Sequence, residues 1–438
     1  MKRTIYAKLL AWKKSDRRKP LILQGARQVG KTYALEAFAH AEYQNYIYCN
    51  FETNVDLPSL FAKNIEPAQL IENLEIQFKQ KIHPNTTLII FDEIQACPEA
   101  LNSLKYFQET ANQYHIAAAG SLLGIKLNQI KSFPVGKVNF LHLTPLSFLE
   151  FLDATQHSEL CEMLKKIKAP KNIPDIFHHQ LIDQLKRYFY IGGMPEAVSH
   201  YAEKKDLDVV REIHHEILKS YELDFSKHAE KNQVMKISEV WKMVPTQLAK
   251  ENKKFIFSLI KASARAREYE TAIQWLKDAG LIYLSYQIST PKIPIEHYCD
   301  KKNFKVFGID MGLLSTMARV PADAILHEHQ LFSEFKGALT ENFIAQQLMT
   351  YGNDHLYYWA SDGVAEVDFV IDHDLSVLPL EVKSGVTVGH KKSLKVYDEK
   401  YAPTVLSRAS LKNLSRDGKI INYPLYAIHL FPMLSLTD

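Results

Sequence analysis

Three short apolar runs organise the first third of the chain. Leu21-Ile22-Leu23, Leu88-Ile89-Ile90-Phe91 and Ile116-Ala117-Ala118-Ala119 are continuous rather than alternating. That is the pattern of strands buried on both faces of a parallel sheet. Segments with helical spacing separate them, at 33–40 and at about 98–112. This alternation predicts an α/β fold with helices on both faces of the sheet. From 154 to 228 the pattern turns helical. Ser158 to Lys168, Leu181 to Ile191 and Asp206 to Tyr221 repeat apolar residues every three or four positions, and Ala169-Pro170 breaks the first. Ile237 to Val244 and Phe255 to Ser263 read as short helices. Ala264 to Ala279 reads as a longer one stopped by Gly280, and Leu281 to Tyr286 as a strand. That order fits a winged-helix module in which Arg265 and Arg267 touch phosphate, or a plain helical bridge. Further on, Lys336 to Met349 is a helix, and strands follow at Tyr357-Tyr358-Trp359, Glu366 to Ile371 and Leu378 to Lys383.

Chemistry enters directly after the first strand. Gly25-Ala26-Arg27-Gln28-Val29-Gly30-Lys31-Thr32 fits G-x-x-x-x-G-K-[ST] between a strand and a helix. Such a loop wraps backbone N–H groups around the phosphates of ATP. Lys31 reaches the β- and γ-phosphates, and the Thr32 hydroxyl ligates Mg²⁺. Asp92 and Glu93 close the second strand. Read as a pair, Asp92 holds Mg²⁺ through water and Glu93 polarises the attacking water; neighbouring strand positions point to opposite sides, which suits two separate tasks. The plainer alternative is that the two acids only begin a loop. Ser121, after the third strand, either senses the γ-phosphate or caps the Leu122-Leu123 helix.

These motifs, with Ala119-Gly120-Ser121-Leu122-Leu123-Gly124, Leu143-Thr144-Pro145-Leu146-Ser147-Phe148, Glu150-Phe151-Leu152 and Tyr190-Ile191-Gly192-Gly193-Met194-Pro195-Glu196, resemble the bacterial AAA+ ATP-binding proteins that carry an uncharacterised C-terminal domain. The resemblance implies an AAA+ P-loop core over 1–153 and a helical lid over 154–228, with Gly192–Glu196 as a lid motif near the nucleotide. It leaves the winged-helix-like segment at 229–290 and a final domain at 291–438. AAA+ engines often assemble as rings, so a homo-oligomer is in view. Lys186 and Arg187 are either charges for the nucleotide or surface solvation.

In the final domain, period-two geometry puts Glu366 and Asp368 on one face, and Glu381 and Lys383 on one face. This looks like the PD-(D/E)XK, restriction-endonuclease-like nuclease fold. The likeness implies that Asp368 and Glu381, with Glu341 on the preceding helix, bind Mg²⁺, and that Lys383 activates water or stabilises the pentavalent phosphate. The alternative is a solvated strand face held by Glu–Lys ion pairs. The stretch Gly389-His390-Lys391-Lys392 with Lys395 adds basic charge suited to a phosphodiester backbone or to simple solubility.

Composition changes little. The net charge of +3 neither demands nor excludes nucleic acid. Cys49, Cys97, Cys161 and Cys299 show no C-x-x-C spacing, which argues against a disulfide framework or cysteine metal site and suits a reducing cytoplasm. No apolar run reaches membrane-spanning length, and Met1-Lys2-Arg3-Thr4 lacks the apolar core of a secretion signal. The combined expectation is an ATPase acting on DNA through a nuclease-like domain. The competing expectation is a nucleotide-switched scaffold whose acids are vestigial and whose last domain binds protein.

Overall fold

In the computed structural model, residues 1–62, 65–120, 136–250, 254–326, 333–361, 365–385 and 392–435 are described. The chain forms two compact units: Met1–Thr144 with Asp278–Gly280, and Pro145–Lys277 with Leu281–Asp438.

The first unit runs α1 (Ile5–Lys14), β1 (Leu21–Gln24), α2 (Lys31–Glu42), β2 (Asn45–Asn50), α3 (Leu57–Ala62), α4 (Pro67–Phe78), β3 (Thr87–Asp92), α5 (Pro98–Thr110), β4 (His115–Ala119) and β5 (Asn139–His142). The strands form one sheet in the order β2-β3-β4-β1-β5. Every pairing in it is parallel. The three apolar runs are its central strands β3, β4 and β1, as continuous burial demands. The edge strands β2 and β5 escape the search for apolar runs because they alternate: Ile47 and Cys49 are buried, whereas Tyr46, Tyr48 and Asn50 are partly exposed. A core of Ile22, Ile47, Phe91 and Ile116 is extended by edge-on contacts among Phe51, Phe61 and Phe91.

The second unit begins with helices: α6 (Phe148–Ala154), α7 (Ser158–Lys165), α8 (Asp175–Ile191), α9 (Pro195–Lys204), α10 (Leu207–His228), α11 (Lys231–Leu248) and α12 (Ala266–Asp278). Ser147 and Glu150 form a reciprocal capping box on α6, and Asp206 caps α10. It continues with β6 (Ile282–Ile288), β7 (Cys299–Gly308), α13 (Met311–Met317), α14 (Ala322–Leu326), α15 (Ser333–Thr350), β8 (Leu356–Ala360), β9 (Glu366–His373), β10 (Ser376–Val382), α16 (Lys392–Tyr401), β11 (Leu406–Ser410), β12 (Ser415–Asp417) and β13 (Ile420–Pro424). Its strands make an eight-stranded sheet ordered β12-β13-β11-β10-β9-β8-β6-β7. Trp359 packs edge-on against Tyr397 and Tyr401 in a core beneath it.

Several expectations are corrected. Ile237 to Val244 is part of one continuous helix, because Ile237, Val240, Trp241, Val244 and Leu248 keep one buried stripe from start to end. Phe255 to Ser263 holds only a single turn at Phe257–Leu259, and the Phe255 N–H instead donates to the Phe304 carbonyl on β7 at 2.8 Å. A boundary at 290 would separate β6 from β7, which pair antiparallel from Ile282↔Gly308 to Ile288↔Cys299. On its other edge β6 pairs in parallel with β8. The strand assigned to a winged-helix-like segment is thus an interior strand of the larger sheet. Its mostly buried residues require neighbours on both edges.

Candidate functional site

The Gly25–Thr32 loop joins β1 to α2. Gly30 adopts φ 89° immediately before the helix, and Gly25 has φ 150°. A Cβ on Gly25 would lie 2.2 Å from the Leu143 carbonyl oxygen, so that position excludes a side chain sterically. Lys31 is buried, and its Nζ donates to the carbonyls of Gly25 at 3.0 Å and Ala26 at 2.7 Å. Burial pushes its ammonium down to about 8, while the carboxylates of Glu93 and Asp92 pull the other way. Ala26, Arg27, Gln28 and Val29 form the body of the loop; Gln28 has φ 64°, and Val29 is fully buried. Arg3 ties the loop down, donating to the carbonyls of Val29 at 3.1 Å and Thr144 at 2.6 Å.

Asp92 ends β3 and is buried. The Thr32 hydroxyl donates to its Oδ2 at 2.8 Å, which unites residues 60 positions apart. Glu93 departs from the expected alternation. It sits outside the strand at φ 49°, where its N–H bonds Asp92 Oδ1 at 3.1 Å and its Oε2 accepts from Gln95 Nε2. A left-handed turn, not the strand pleat, therefore separates the two acids. Ser121, Leu122-Leu123 and the stretch 386–391 lie outside the described residues. Tyr48 was not anticipated: its hydroxyl donates to Asp92 Oδ2 at 2.6 Å and accepts from Asn50 Nδ2 at 3.2 Å. The available signal was the alternation Tyr46-Ile47-Tyr48-Cys49-Asn50, which predicts a strand with polar groups on one face.

In the second unit the Gly192–Glu196 motif makes a buried joint. A Cβ on Gly193 would meet the Leu146 carbonyl oxygen at 2.2 Å, and one on Gly192 would meet Asp310 Oδ1 at 2.2 Å. Asp310 accepts from the backbone N–H of Gly193 at 2.6 Å and of Leu313 at 3.0 Å. Burial pushes its carboxyl up to about 6 despite those donors. Tyr188 donates to the Leu146 carbonyl at 2.5 Å and accepts from Gln346 at 2.9 Å. The motif thus fastens α8 and α9 to α13 and α15, and the helices expected as a separate lid belong to the same unit as the last domain. Arg187 bonds Tyr201 at 2.9 Å, and Lys186 lies 4.0 Å from Asp183.

The C-terminal acids are also brought together, though not as one cation cage. The central group is Lys305 on β7, whose side chain is 0 % exposed. Its Nζ lies 2.5 Å from Glu366 Oε1, 3.9 Å from Asp368 Oδ1 and 4.0 Å from Glu341 Oε2, above the Tyr358 ring. Burial alone would lower its pKa, but Glu341, Glu366 and Asp368 outweigh that and raise it, so the ammonium is firmly charged. Asp368 Oδ2 also accepts from the Val382 N–H at 2.8 Å. Glu381 is held by Lys383 at 3.1 Å and by Arg408 at 3.3 Å. The three carboxylates expected to share Mg²⁺ are therefore divided between cations of the chain itself. Among the described residues no group of three or more carboxylate, histidine or cysteine side chains is arranged to hold a metal ion. The signal for Lys305 was its place between Phe304 and Val306: a lysine inside an apolar strand needs buried partners.

The chain is similar to known proteins over three stretches. Residues 17–152 match the family model of an AAA domain. Residues 182–324 and 336–428 match two domains of unknown function, DUF8612 and DUF4143. No curated protein matches the chain. Among solved structures, the Walker-type ATPase PABY2304 of Pyrococcus abyssi aligns at 13% identity and TM-score 0.44, over 72% of this chain and 94% of that one. The Orc1 protein of Aeropyrum pernix in complex with DNA aligns at 16% identity and TM-score 0.25, over 74% and 92%. Cdc6p from Pyrobaculum aerophilum aligns at 12% identity and TM-score 0.23, over 70% and 88%. Residues 17–152 are thus similar to an AAA domain, and residues 336–428 to the DUF4143 domain. No described helix is long and apolar enough to cross a membrane.

Proposed function

We propose that the chain is an ATP-hydrolysing switch that grips DNA through its second unit and does not cut it. The observation that carries the reading is the Thr32–Asp92 contact at 2.8 Å beside the buried Lys31. The Thr32 proton is committed to the carboxylate, which leaves the hydroxyl lone pairs for a cation. Asp92 accepts from its neighbours and supplies negative charge to the same place. Thr32 and Asp92 would hold Mg²⁺, which neutralises phosphate charge and shields it from the attacking oxygen. Lys31 leaves its loop carbonyls to bind phosphate oxygens, the loop N–H groups cradle them, and Glu93 orients and deprotonates the water.

DNA engagement is supported by charge around α12 and the β6–β7 hairpin. Arg265, Arg267, Lys261, Lys292, Lys301 and Lys302 are all exposed. Arg265 and Arg267 flank the start of α12, where cations are unfavourable unless an anion accompanies them. A phosphodiester backbone supplies that anion. The absence of cutting is supported by Lys305, which occupies with its own charge the place between Glu341, Glu366 and Asp368.

The test is fluorescence anisotropy with a short DNA duplex at about 50 mM salt. The chain should bind, and replacing Arg265, Arg267, Lys301 and Lys302 with Ala should weaken binding at least tenfold and flatten its salt dependence. A parent chain that binds no DNA at that salt removes the DNA half and favours a protein-binding second unit. Plasmid nicked with Mg²⁺ or Mn²⁺ by the parent but not by Lys383→Ala removes the claim that it does not cut.

A further inference from the structure

The two hydrogen bonds on Asp92 Oδ2 have different origins. One comes from Thr32, inside the phosphate-loop motif. The other comes from Tyr48 on the edge strand β2, which belongs to no motif. Tyr48 pairs in register with Ile90, two residues before Asp92 on the neighbouring strand. Its ring reaches along the sheet and places the hydroxyl 2.6 Å from Oδ2. Asn50 Nδ2 donates to that hydroxyl at 3.2 Å, so the phenol proton is directed at the carboxylate and not toward Asn50. Asn50 is fixed in turn, because its Oδ1 accepts from the N–H groups of Glu52 and Thr53, both at 3.0 Å. Asp92 Oδ1 is tethered by the Glu93 N–H at 3.1 Å. Both carboxylate oxygens are therefore occupied, and the side chain is held in one orientation by donors from α2, from β2 and from the turn after β3.

We infer that Tyr48 is a positioning residue for Mg²⁺: it locks the carboxylate that orients the Thr32 hydroxyl, and so sets how tightly the ATP-bound cation is held. The inference rests on the ATP reading above. Groups that hydrogen-bond a metal-site carboxylate from outside fix its direction, and their loss costs metal affinity. Without the phenol, Asp92 keeps only its bonds to Thr32 and to the Glu93 N–H. It then swings more freely, and Thr32 loses its fixed acceptor. The phenol makes no contact needed for the loop to close on phosphate. Its loss should therefore show in the magnesium-dependent part of nucleotide binding and leave the magnesium-free part alone.

The experiment titrates a fluorescent ATP analogue onto the parent chain and Tyr48→Phe, in EDTA and across a Mg²⁺ series. Phenylalanine keeps the ring and removes only the hydroxyl. The Mg²⁺ concentration for half-maximal enhancement of binding should rise about tenfold in Tyr48→Phe, while affinity in EDTA stays within twofold. Asn50→Ala, which leaves the phenol proton free to turn away, should move the Mg²⁺ midpoint in the same direction by a smaller factor. Melting temperature is followed alongside, since a purely structural role would lower it without moving the Mg²⁺ midpoint. Equal loss of affinity with and without Mg²⁺, or an unchanged midpoint, overturns the inference. A parent chain that binds no nucleotide overturns the ATP reading together with it. A parent that binds with a magnesium gain which Tyr48→Phe retains in full overturns this inference alone.

Discussion

Lys305→Met removes the positive centre of the C-terminal acid cluster while keeping most of its volume. Three carboxylates, Glu341, Glu366 and Asp368, then lose the cation that lies 2.5–4.0 Å from them. Breaking a buried ion pair by deleting one partner costs about 3–5 kcal/mol. Glu366 is 37% exposed, so water screens part of the loss and the lower end applies. A loss of about 3 kcal/mol lowers the melting temperature of a unit this size by roughly 5 °C. Three of the four tryptophans, Trp241, Trp275 and Trp359, lie in the second unit, so tryptophan fluorescence of the chain with Trp12→Phe follows its melting. Without the ammonium the same carboxylates are left to a divalent ion, so Mn²⁺ should stabilise Lys305→Met and leave the parent nearly unmoved. A variant that melts with the parent, or a parent that Mn²⁺ stabilises as strongly as the variant, refutes the claim that Lys305 takes the place of a metal.

Other outcomes follow from the same geometry. Lys31 sits near 8, and only its charged form pairs with phosphate, so ATP affinity should fall up to tenfold per pH unit above about 8; Lys31→Arg, measured by calorimetry over the same range, should flatten that dependence. Gly193→Ala forces a methyl to 2.2 Å from the Leu146 carbonyl oxygen and should destabilise the second unit by more than about 2 kcal/mol in denaturant melts, while leaving ATP affinity within twofold. Glu93→Gln should bind ATP as the parent does and turn it over at least about 100-fold more slowly, measured by phosphate release; parental turnover would return the glutamate to its turn-forming role.

The parts legible in the sequence share one property: a local pattern carries them. Lys31, Thr32 and Asp92 were legible because loop spacing and a continuous apolar strand each announce themselves within eight residues. Their meeting at 2.8 Å follows from β1 and β3 both flanking β4 in one parallel sheet. Tyr48 was hidden because its role depends on which strand lies next to β3, and an alternating edge strand gives a weak signal. Lys305 was hidden for a stronger reason: its partners are 36, 61 and 63 residues away on two other elements, α15 and β9. The carboxylates on β9 and β10 were expected to face together; Asp368 accepts from the Val382 N–H of β10, while Glu381 is held by Lys383 and Arg408. What period-two geometry cannot say is which charge arrives from elsewhere to meet them. The same limit applies at Gly192-Gly193. Two adjacent glycines announce a close approach, and only the fold identifies the partners as Asp310 and Leu146.

The most direct test is steady-state ATP turnover, with and without duplex DNA, for the parent chain and Lys31→Ala. The account predicts magnesium-dependent turnover by the parent, faster with DNA, and none by Lys31→Ala. Turnover that Lys31→Ala retains, or a parent that turns over no ATP under any of these conditions, would contradict it.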